Sequence, residues 1–159
     1  MRVLGIDPGF GRVGWAILEG NRSKQAVIDF GCLETSPTDS LNVRLEEIYD
    51  HVLELIDKYG PEEAAVEDIF FFKNQKTVIG VGQARGVILL AIVKKKVACY
   101  NYTPLEIKQA ITGFGQAEKK QVQFMVKNLL KLKEVPKQDD AADAIACGLA
   151  HMFMDKRLK

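Results

Sequence analysis

Four acidic residues stand where a folded chain could collect them into one site. Asp7 ends a short apolar run and Glu67 ends another, while Asp140 and Asp143 lie three residues apart in a segment with helical spacing. Carboxylates gathered together repel one another unless a hard divalent cation such as Mg²⁺ binds between them. Two such ions about 4 Å apart can activate water and stabilise a leaving oxygen. This set of residues therefore predicts metal-dependent hydrolysis of a phosphodiester.

The order of strands and helices decides whether these acids can meet. Runs of β-forming residues bounded by turn signals predict strands at residues 2–7, 13–18, 26–33, 64–66 and 97–102. Helical spacing of apolar residues, with capping signals, predicts helices from residue 41 to just before Gly60, and at residues 77–95, 104 onward, 118–132 and 137–154. An antiparallel meander followed by alternating helices and strands predicts an α/β fold, with a mixed five-stranded sheet flanked by helices.

This topology predicts that the acids share one edge of the sheet. A crossover helix between the first and fourth strands makes them parallel neighbours, so Asp7 and Glu67 end at the same edge. Asp140 and Asp143 project from one face of the last helix, where the positive helix end stabilises ionised carboxylates. Strand alternation turns the rival Asp68 away, and helix geometry turns Asp139 away.

The charge is distributed unevenly along the chain. The net charge is +1 overall, but it is −8 for residues 1–68, +10 for residues 69–138 and −1 for the remainder. A basic segment between two acidic ones predicts a phosphate-facing surface beside a carboxylate cluster. The alternative is that these lysines coat solvated helix faces, and composition alone does not decide between the two.

A glycine pattern over residues 9–14 resembles a dinucleotide-binding loop. Its context argues against that interpretation, because the pattern must open a helix and here leads into a predicted strand. Three separated cysteines, Cys32, Cys99 and Cys147, predict reduced thiols in a cytoplasmic protein. No apolar run approaches the roughly 20 residues that span a bilayer, so membrane association is not expected. The chain, residues 1–159, is expected to form a single domain.

Several motifs in this order resemble the RuvC family of Holliday junction resolvases. They include residues 5–9, Glu67 with the Phe70 and Lys73 that follow it, residues 82–86, residues 113–119 and residues 140–144. The resemblance covers nearly the whole chain. It implies a ribonuclease-H-like fold, a homodimer and Mg²⁺-dependent paired nicking of four-way DNA junctions during recombination and repair. It also implies work with a RuvA–RuvB branch-migration complex.

The resemblance assigns roles to individual residues. The four catalytic and metal-binding acids correspond to Asp7, Glu67, Asp140 and Asp143, with two Mg²⁺ ions per site and Mn²⁺ as a substitute. The junction-stacking aromatic corresponds to Phe70, and the DNA-contacting lysines correspond to Lys108 and Lys119. Lys73, Lys76 and Arg85 are further basic residues that are expected to contact DNA.

Other functions remain to be weighed against this one. A ribonuclease-H-like enzyme could instead cut RNA or an RNA–DNA hybrid. A junction-binding module without cleavage is the alternative of a different class, against which the presence of all four acids argues. A sugar-kinase or actin-like ATPase would need two such domains, and the chain has room for one.

Overall fold

The computed structural model describes residues 1–69 and 75–154, and of Gln75 and Lys76 only the backbone. The strands of the sheet are β1 (Arg2–Asp7), β2 (Arg12–Gly20), β3 (Gln25–Glu34), β4 (Glu63–Glu67) and β5 (Ala98–Tyr102). The helices of the described part are α1 (Leu41–Tyr59), α2 (Gln75–Lys94), α3 (Pro104–Thr112), α4 (Lys119–Leu129) and α5 (Asp139–Phe153).

The five strands form one sheet in the order β3-β2-β1-β4-β5. Strands β1, β2 and β3 pair antiparallel, whereas β1 pairs parallel with β4 and β4 pairs parallel with β5. The helix α1 provides the crossover between β3 and β4. The predicted mixed sheet, with its antiparallel meander and parallel second half, is confirmed.

Helices cover both faces of the sheet and bury a separate apolar cluster on each. On one face, α3, α4 and α5 pack with strand residues such as Val3 and Ala65. On the other face, α1 and α2 pack with residues such as Leu4 and Val66. The alternation of neighbouring strand residues between the two clusters follows from the two-residue period of a strand.

Glycines let α5 lie directly on the sheet. A Cβ atom at Gly5 would come within 2.3 Å of the carbonyl oxygen of Ala144, and one at Gly14 within 1.9 Å of the carbonyl oxygen of Asp140. No side chain fits in such a gap, since real Cβ atoms do not approach other heavy atoms so closely. These contacts fix the position of the N-terminal half of α5 over β1 and β2.

The start of α5 differs in detail from the sequence-based expectation. The helix begins at Asp139, so its first turn holds Asp139 and Asp140. The prediction that Asp143 also lies in the first turn is wrong, because Asp143 is the fifth residue of the helix and one turn holds about 3.6 residues. Asp140 and Asp143 still share one helix face, since residues three apart do so anywhere along a helix.

The helix α2 is apolar yet poorly covered. The segment Thr77–Lys94 has a mean hydropathy of 1.5, and 22% of it is buried. By length and composition alone it could cross a membrane, a feature that the sequence-based interpretation did not anticipate. Its exposed apolar side chains include Ile79, Leu90 and Val93.

Candidate active site

Two strand ends bring Asp7 and Glu67 together. The parallel pairing of β1 and β4 places Ile6 opposite Val66, so the next residue of each strand lies at the same edge. Asp7 has the same side-chain direction as Val3, and Glu67 has the same direction as Ala65, since alternate residues share a face. Val3 and Ala65 belong to the cluster under α5. Both carboxylates therefore point to the α5 side of the sheet.

The N-terminal half of α5 brings the other two acids to this place. Asp7 pairs with Gly14 across β1 and β2. Gly14 in turn lies against the backbone carbonyl of Asp140, which brings the start of α5 next to Asp7. One helical turn later, Asp143 follows on the same face. The structure thus gathers the four acids that the sequence singled out.

The charge on Asp7 is strongly disfavoured. Burial raises the pKa of Asp7 well above its ordinary value of 3.8, and the negative charges of Glu67, Asp143 and Asp140 raise it further. Among the described residues, the charge of Lys119 lowers this pKa. Each of the other three acids is therefore close enough to Asp7 to repel it.

The ionised forms of Glu67 and Asp143 are disfavoured as well. Burial, followed by the charge of Asp143, raises the pKa of Glu67 from 4.5 to about 7, while Lys119 and Lys108 oppose the rise. Burial also raises the pKa of Asp143, although Lys119 lowers it through a hydrogen bond and its charge. The site holds more negative charge than its own lysines neutralise.

Lys119 is in direct contact with the cluster. Its Nζ donates a hydrogen bond of 2.9 Å to Oδ2 of Asp143 and lies 3.5 Å from Oδ2 of Asp139. Lys119 is the first residue of α4, and a capping box between Glu118 and Gln121 holds that helix end. The resemblance assigned Lys119 to DNA, whereas in this structure its ammonium group binds the carboxylates themselves.

The two rival acids lie in different surroundings. Asp68 accepts a hydrogen bond of 2.6 Å from Nη2 of Arg85, which also donates to Asn101 at 2.8 Å. Asp68 is therefore engaged on the far side of β4, as strand alternation predicts. Asp139 is 67% exposed and accepts a hydrogen bond from Gln123. Lys119 contacts both Asp139 and Asp143. Asp139 therefore lies nearer to the carboxylate cluster than its position on the helix led us to expect.

The other predicted DNA contacts fall in three groups. Lys108, on α3, is close enough to Glu67 to lower its pKa. Arg85 donates hydrogen bonds to Asp68 and Asn101. Its contact with DNA stays a prediction. Phe70 and Lys73 lie outside the described residues, and Lys76 is described by its backbone alone.

One residue beside the acids carried no sequence signal. The thiol of Cys32 on β3 lies 4.0 Å from Oδ2 of Asp140. Burial and the negative charge of Asp140 raise the pKa of Cys32 to about 11. The sulfur is therefore a neutral, protonated neighbour of the cluster at neutral pH. Only strand pairing, which a sequence does not display, brings it there.

The donor set of this site fits a hard divalent cation. All four side chains offer carboxylate oxygens, the ligands that Mg²⁺ prefers. Burial first, and neighbouring negative charges second, raise the pKa values of Asp7, Glu67 and Asp143, and a bound cation would stabilise their ionised forms. Within residues 1–69 and 75–154, no three acid, histidine or cysteine side chains already converge at metal-ligand distances. The oxygen ligands fit a hard divalent cation, and the carboxylate side chains would have to move closer together to coordinate it.

Comparisons with known proteins agree with this geometry. Residues 3–151 match the family described as Crossover junction endodeoxyribonuclease RuvC. A protein of that description from Finegoldia magna is 49% identical over 156 residues, covering 98% of this chain and 95% of that protein. Its counterpart from Fusobacterium nucleatum is 51% identical over 152 residues, covering 96% of this chain and 80% of that protein.

Solved structures show the same fold. Thermus thermophilus RuvC in complex with a Holliday junction substrate superposes with a TM-score of 0.91 at 36% identity, covering 96% of this chain and 93% of that one. The yeast mitochondrial Holliday junction resolvase Ydc2 superposes with a TM-score of 0.70 at 14% identity, covering 95% and 77%, which shows a shared fold alone. The ribonuclease-H-like architecture is thereby confirmed. The chain belongs to the RuvC family of crossover junction endodeoxyribonucleases.

Proposed function

We propose that this protein resolves four-way DNA junctions by paired symmetric nicks. The observation that carries the proposal is the cluster of Asp7, Glu67, Asp140 and Asp143 at one sheet edge in a member of this family. A Thermus thermophilus relative has been solved with a Holliday junction. Neither cleavage of an RNA–DNA hybrid nor junction binding without cleavage gains support from any observed contact.

We propose Mg²⁺, two ions per site and replaceable by Mn²⁺, as the metal held by these four acids. When bound, such ions polarise the phosphate and activate a water molecule. The chain itself supplies the surroundings. Burial of Asp7 and Glu67 reduces their contact with water, which strengthens their attraction for any cation that enters. Lys119 holds Asp143 from the exposed side.

Lysines at the rim prepare the site for a phosphate group. Lys108 acts on Glu67 through its charge, and Lys119 bonds Asp143 directly. A phosphodiester brings further negative charge to an already acidic place. The lysines on α3 and α4 offset that repulsion. When a phosphate binds, it can replace Asp143 as the hydrogen-bond partner of the Lys119 ammonium group. These two lysines of the basic middle segment support a role for it in binding phosphate beside the carboxylate cluster.

A homodimer would cover the exposed face of α2. The residues Ile79, Gly82, Gly86, Leu90 and Val93 recur at intervals of three and four and are all exposed. A Cβ atom at Gly82 or Gly86 would meet nothing within 4 Å, so this stripe has a flat centre open to a second helix. At 1.5 Å per residue the stripe is about 21 Å long. Two copies joined here would present two sites, one for each nick.

We further propose a cytoplasmic enzyme that works with a RuvA–RuvB branch-migration complex. The three cysteines Cys32, Cys99 and Cys147 are free thiols, as expected in a reducing compartment. The partnership rests on the family alone, and no described surface identifies its interface.

Substrate class is tested by offering labelled DNA with Mg²⁺. The substrates are a four-way junction, a linear duplex of the same sequence and an RNA–DNA hybrid. Symmetric nicks in the junction alone are expected. Cutting of the hybrid or of the linear duplex at an equal rate would contradict the proposal, and binding without cleavage would favour the junction-binding alternative.

The acids are tested one at a time by amide substitutions. Asp7→Asn, Glu67→Gln, Asp140→Asn and Asp143→Asn keep the side-chain size and remove the ligating charge. Each should abolish cleavage and preserve junction binding in a gel-shift assay. Asp68→Asn is the matched control, because Asp68 bonds Arg85 away from the cluster. Wild-type rates in any two of the four variants would exclude this site.

The dimer is tested by placing a charge in the α2 stripe. Leu90→Glu should convert a dimer to a monomer in sedimentation equilibrium, because burying an unpaired carboxylate is unfavourable. Leu105→Glu, at a side chain that is 56% exposed on α3, is the matched control. A monomeric wild-type protein, or one that sediments with lipid vesicles through α2, would contradict the proposed dimer.

A further inference from the structure

An open cleft lies beside the active site, between the α3–α4 connection and α4. Its volume is about 410 Å³, and its walls include Phe114, Phe124, Lys120 and Gln121. The side chains of Phe114 and Phe124 are 60% and 64% exposed. Large aromatic residues normally bury most of their surface, so two exposed rings in one cleft indicate a surface that binds something.

The loop that carries Phe114 is held in place by hydrogen bonds. Gly113 ends α3 in the left-handed conformation. The backbone N–H of Phe114 donates to Oγ1 of Thr112 at 3.1 Å, and the N–H of Ala117 donates to the carbonyl oxygen of Phe114 at 3.0 Å. A ring presented by such a braced loop loses little conformational freedom when it binds a ligand, which favours affinity.

The cleft adjoins the carboxylate cluster. Ala117 forms part of its wall, and Lys119, two residues further on, binds Asp143. Phe124 stands one helical turn beyond Lys120 on the same face of α4. The cleft and the carboxylate cluster are thus both reached from the N-terminal end of α4.

The charge around the cleft identifies its occupant. Within the described ranges no acidic residue lines the cleft, whereas Lys120 does. Both Phe114 and Phe124 line this cavity of about 410 Å³, so each ring presents a surface to whatever occupies it. Aromatic rings beside lysines suit a nucleic acid base, which stacks on the ring while its phosphate meets the cation.

We propose that this cleft binds one unpaired nucleobase of the junction strand that is being cut. The base stacks on Phe114 and Phe124, and Lys120 contacts the adjoining phosphate. The proposal rests on the junction-resolving function above and adds a binding site to it. Holding a base outside the helix stabilises the opened form of the crossover over its paired form. The cleft would thereby favour the distorted substrate that the buried carboxylates require.

The experiment measures coupling between protein side chains and single bases. Metal-free binding is measured in EDTA for the intact junction and for junctions that lack one base at each position near the crossover. Phe114→Ala and Phe124→Ala should each weaken binding of the intact junction by about 5- to 140-fold, as expected for loss of one stacked base. For a junction that lacks the base at one particular position, the affinity of the wild type should fall by a similar factor. With that same junction, the substitutions should lower the affinity little further.

Matched variants separate stacking from other causes. Phe114→Tyr and Phe124→Tyr keep a ring and should restore binding. Phe30→Ala, at a ring that is 42% exposed on the outer strand β3, should leave binding unchanged. Thermal melting of every variant is recorded, and since both cleft rings are largely exposed we expect folded proteins.

The outcomes also separate this proposal from the proposed function. If the wild type nicks junctions but no abasic position couples to Phe114 or Phe124, the cleft does not bind a base. If Phe114→Ala changes the association state instead, the cleft is a protein contact and the proposal is wrong. If the wild type cuts no junction at all, it is the function itself that fails.

Discussion

Replacing Glu67 by glutamine should stabilise the metal-free protein while destroying its activity. Burial and the negative charge of Asp143 raise the pKa of Glu67 from 4.5 to about 7. The folded protein therefore binds this proton more tightly than the unfolded chain does. Wild-type stability is lost as the pH rises through the interval from 4.5 to about 7, because the carboxylate then ionises in unfavourable surroundings. Glutamine resembles the protonated acid and avoids that loss.

The size of the effect follows from the same pKa. Each pKa unit corresponds to about 1.4 kcal/mol. The rise from 4.5 to about 7 therefore amounts to at most about 3 kcal/mol, present in full above pH 7 and absent below pH 4.5. In a chain of 159 residues this corresponds to an increase in Tm of roughly 6–12 °C.

The assay is urea denaturation of wild type and Glu67→Gln in EDTA at pH 5 and at pH 8. The variant should be more stable at pH 8, and the difference should shrink at pH 5. Glu46→Gln, at an exposed position of α1, is the matched control and should change little at either pH. Saturating Mg²⁺ should reduce the difference in unfolding free energy between the two proteins, since the ion binds the native wild type more tightly than the variant. A variant no more stable than the wild type at pH 8 would refute the reasoning.

Further predictions follow from the packing around the acids. Gly14→Ala should abolish cleavage and lower the Tm, because its Cβ would meet the α5 backbone at 1.9 Å, whereas Gly86→Ala, where a Cβ meets nothing within 4 Å, should keep the fold. Lys119→Met should destabilise the metal-free protein at pH 8 by up to about 1 kcal/mol, opposite in sign to Glu67→Gln, with a smaller loss at pH 5. Tyr102→Phe should cost about 1–3 kcal/mol in urea denaturation, because the buried hydroxyl lies 2.7 Å from Nδ1 of His151.

Strand and helix order could be predicted from the sequence because local signals and chain connectivity agree. A short apolar run marks β1, and the crossover through α1 makes β1 and β4 parallel neighbours. That pairing puts Asp7 and Glu67 at the same edge, and the two-residue period of a strand puts them on the same face. The side of Asp68 follows by the same rule, and its bond to Arg85 agrees with it.

Contacts between distant segments could not be predicted in this way. The hydrogen bond from Lys119 to Asp143 depends on how α4 packs against α5, and no sequence spacing encodes that distance. The cleft between Phe114 and Phe124 likewise depends on the loop before α4. The expected stacking role of Phe70 lies outside the described residues and stays a prediction.

The glycine pattern of residues 9–14 shows how a local motif acquires meaning from tertiary structure. Gly14 does not cradle a phosphate at a helix start, because it lies inside β2. Its missing side chain instead lets α5 approach until the carbonyl oxygen of Asp140 would be 1.9 Å from an added Cβ. Because Asp7 pairs with Gly14, the same contact sets the separation between the strand acids and the helix acids. A glycine without any catalytic group thus determines how closely the carboxylates stand, and hence how strongly they repel one another before a cation binds.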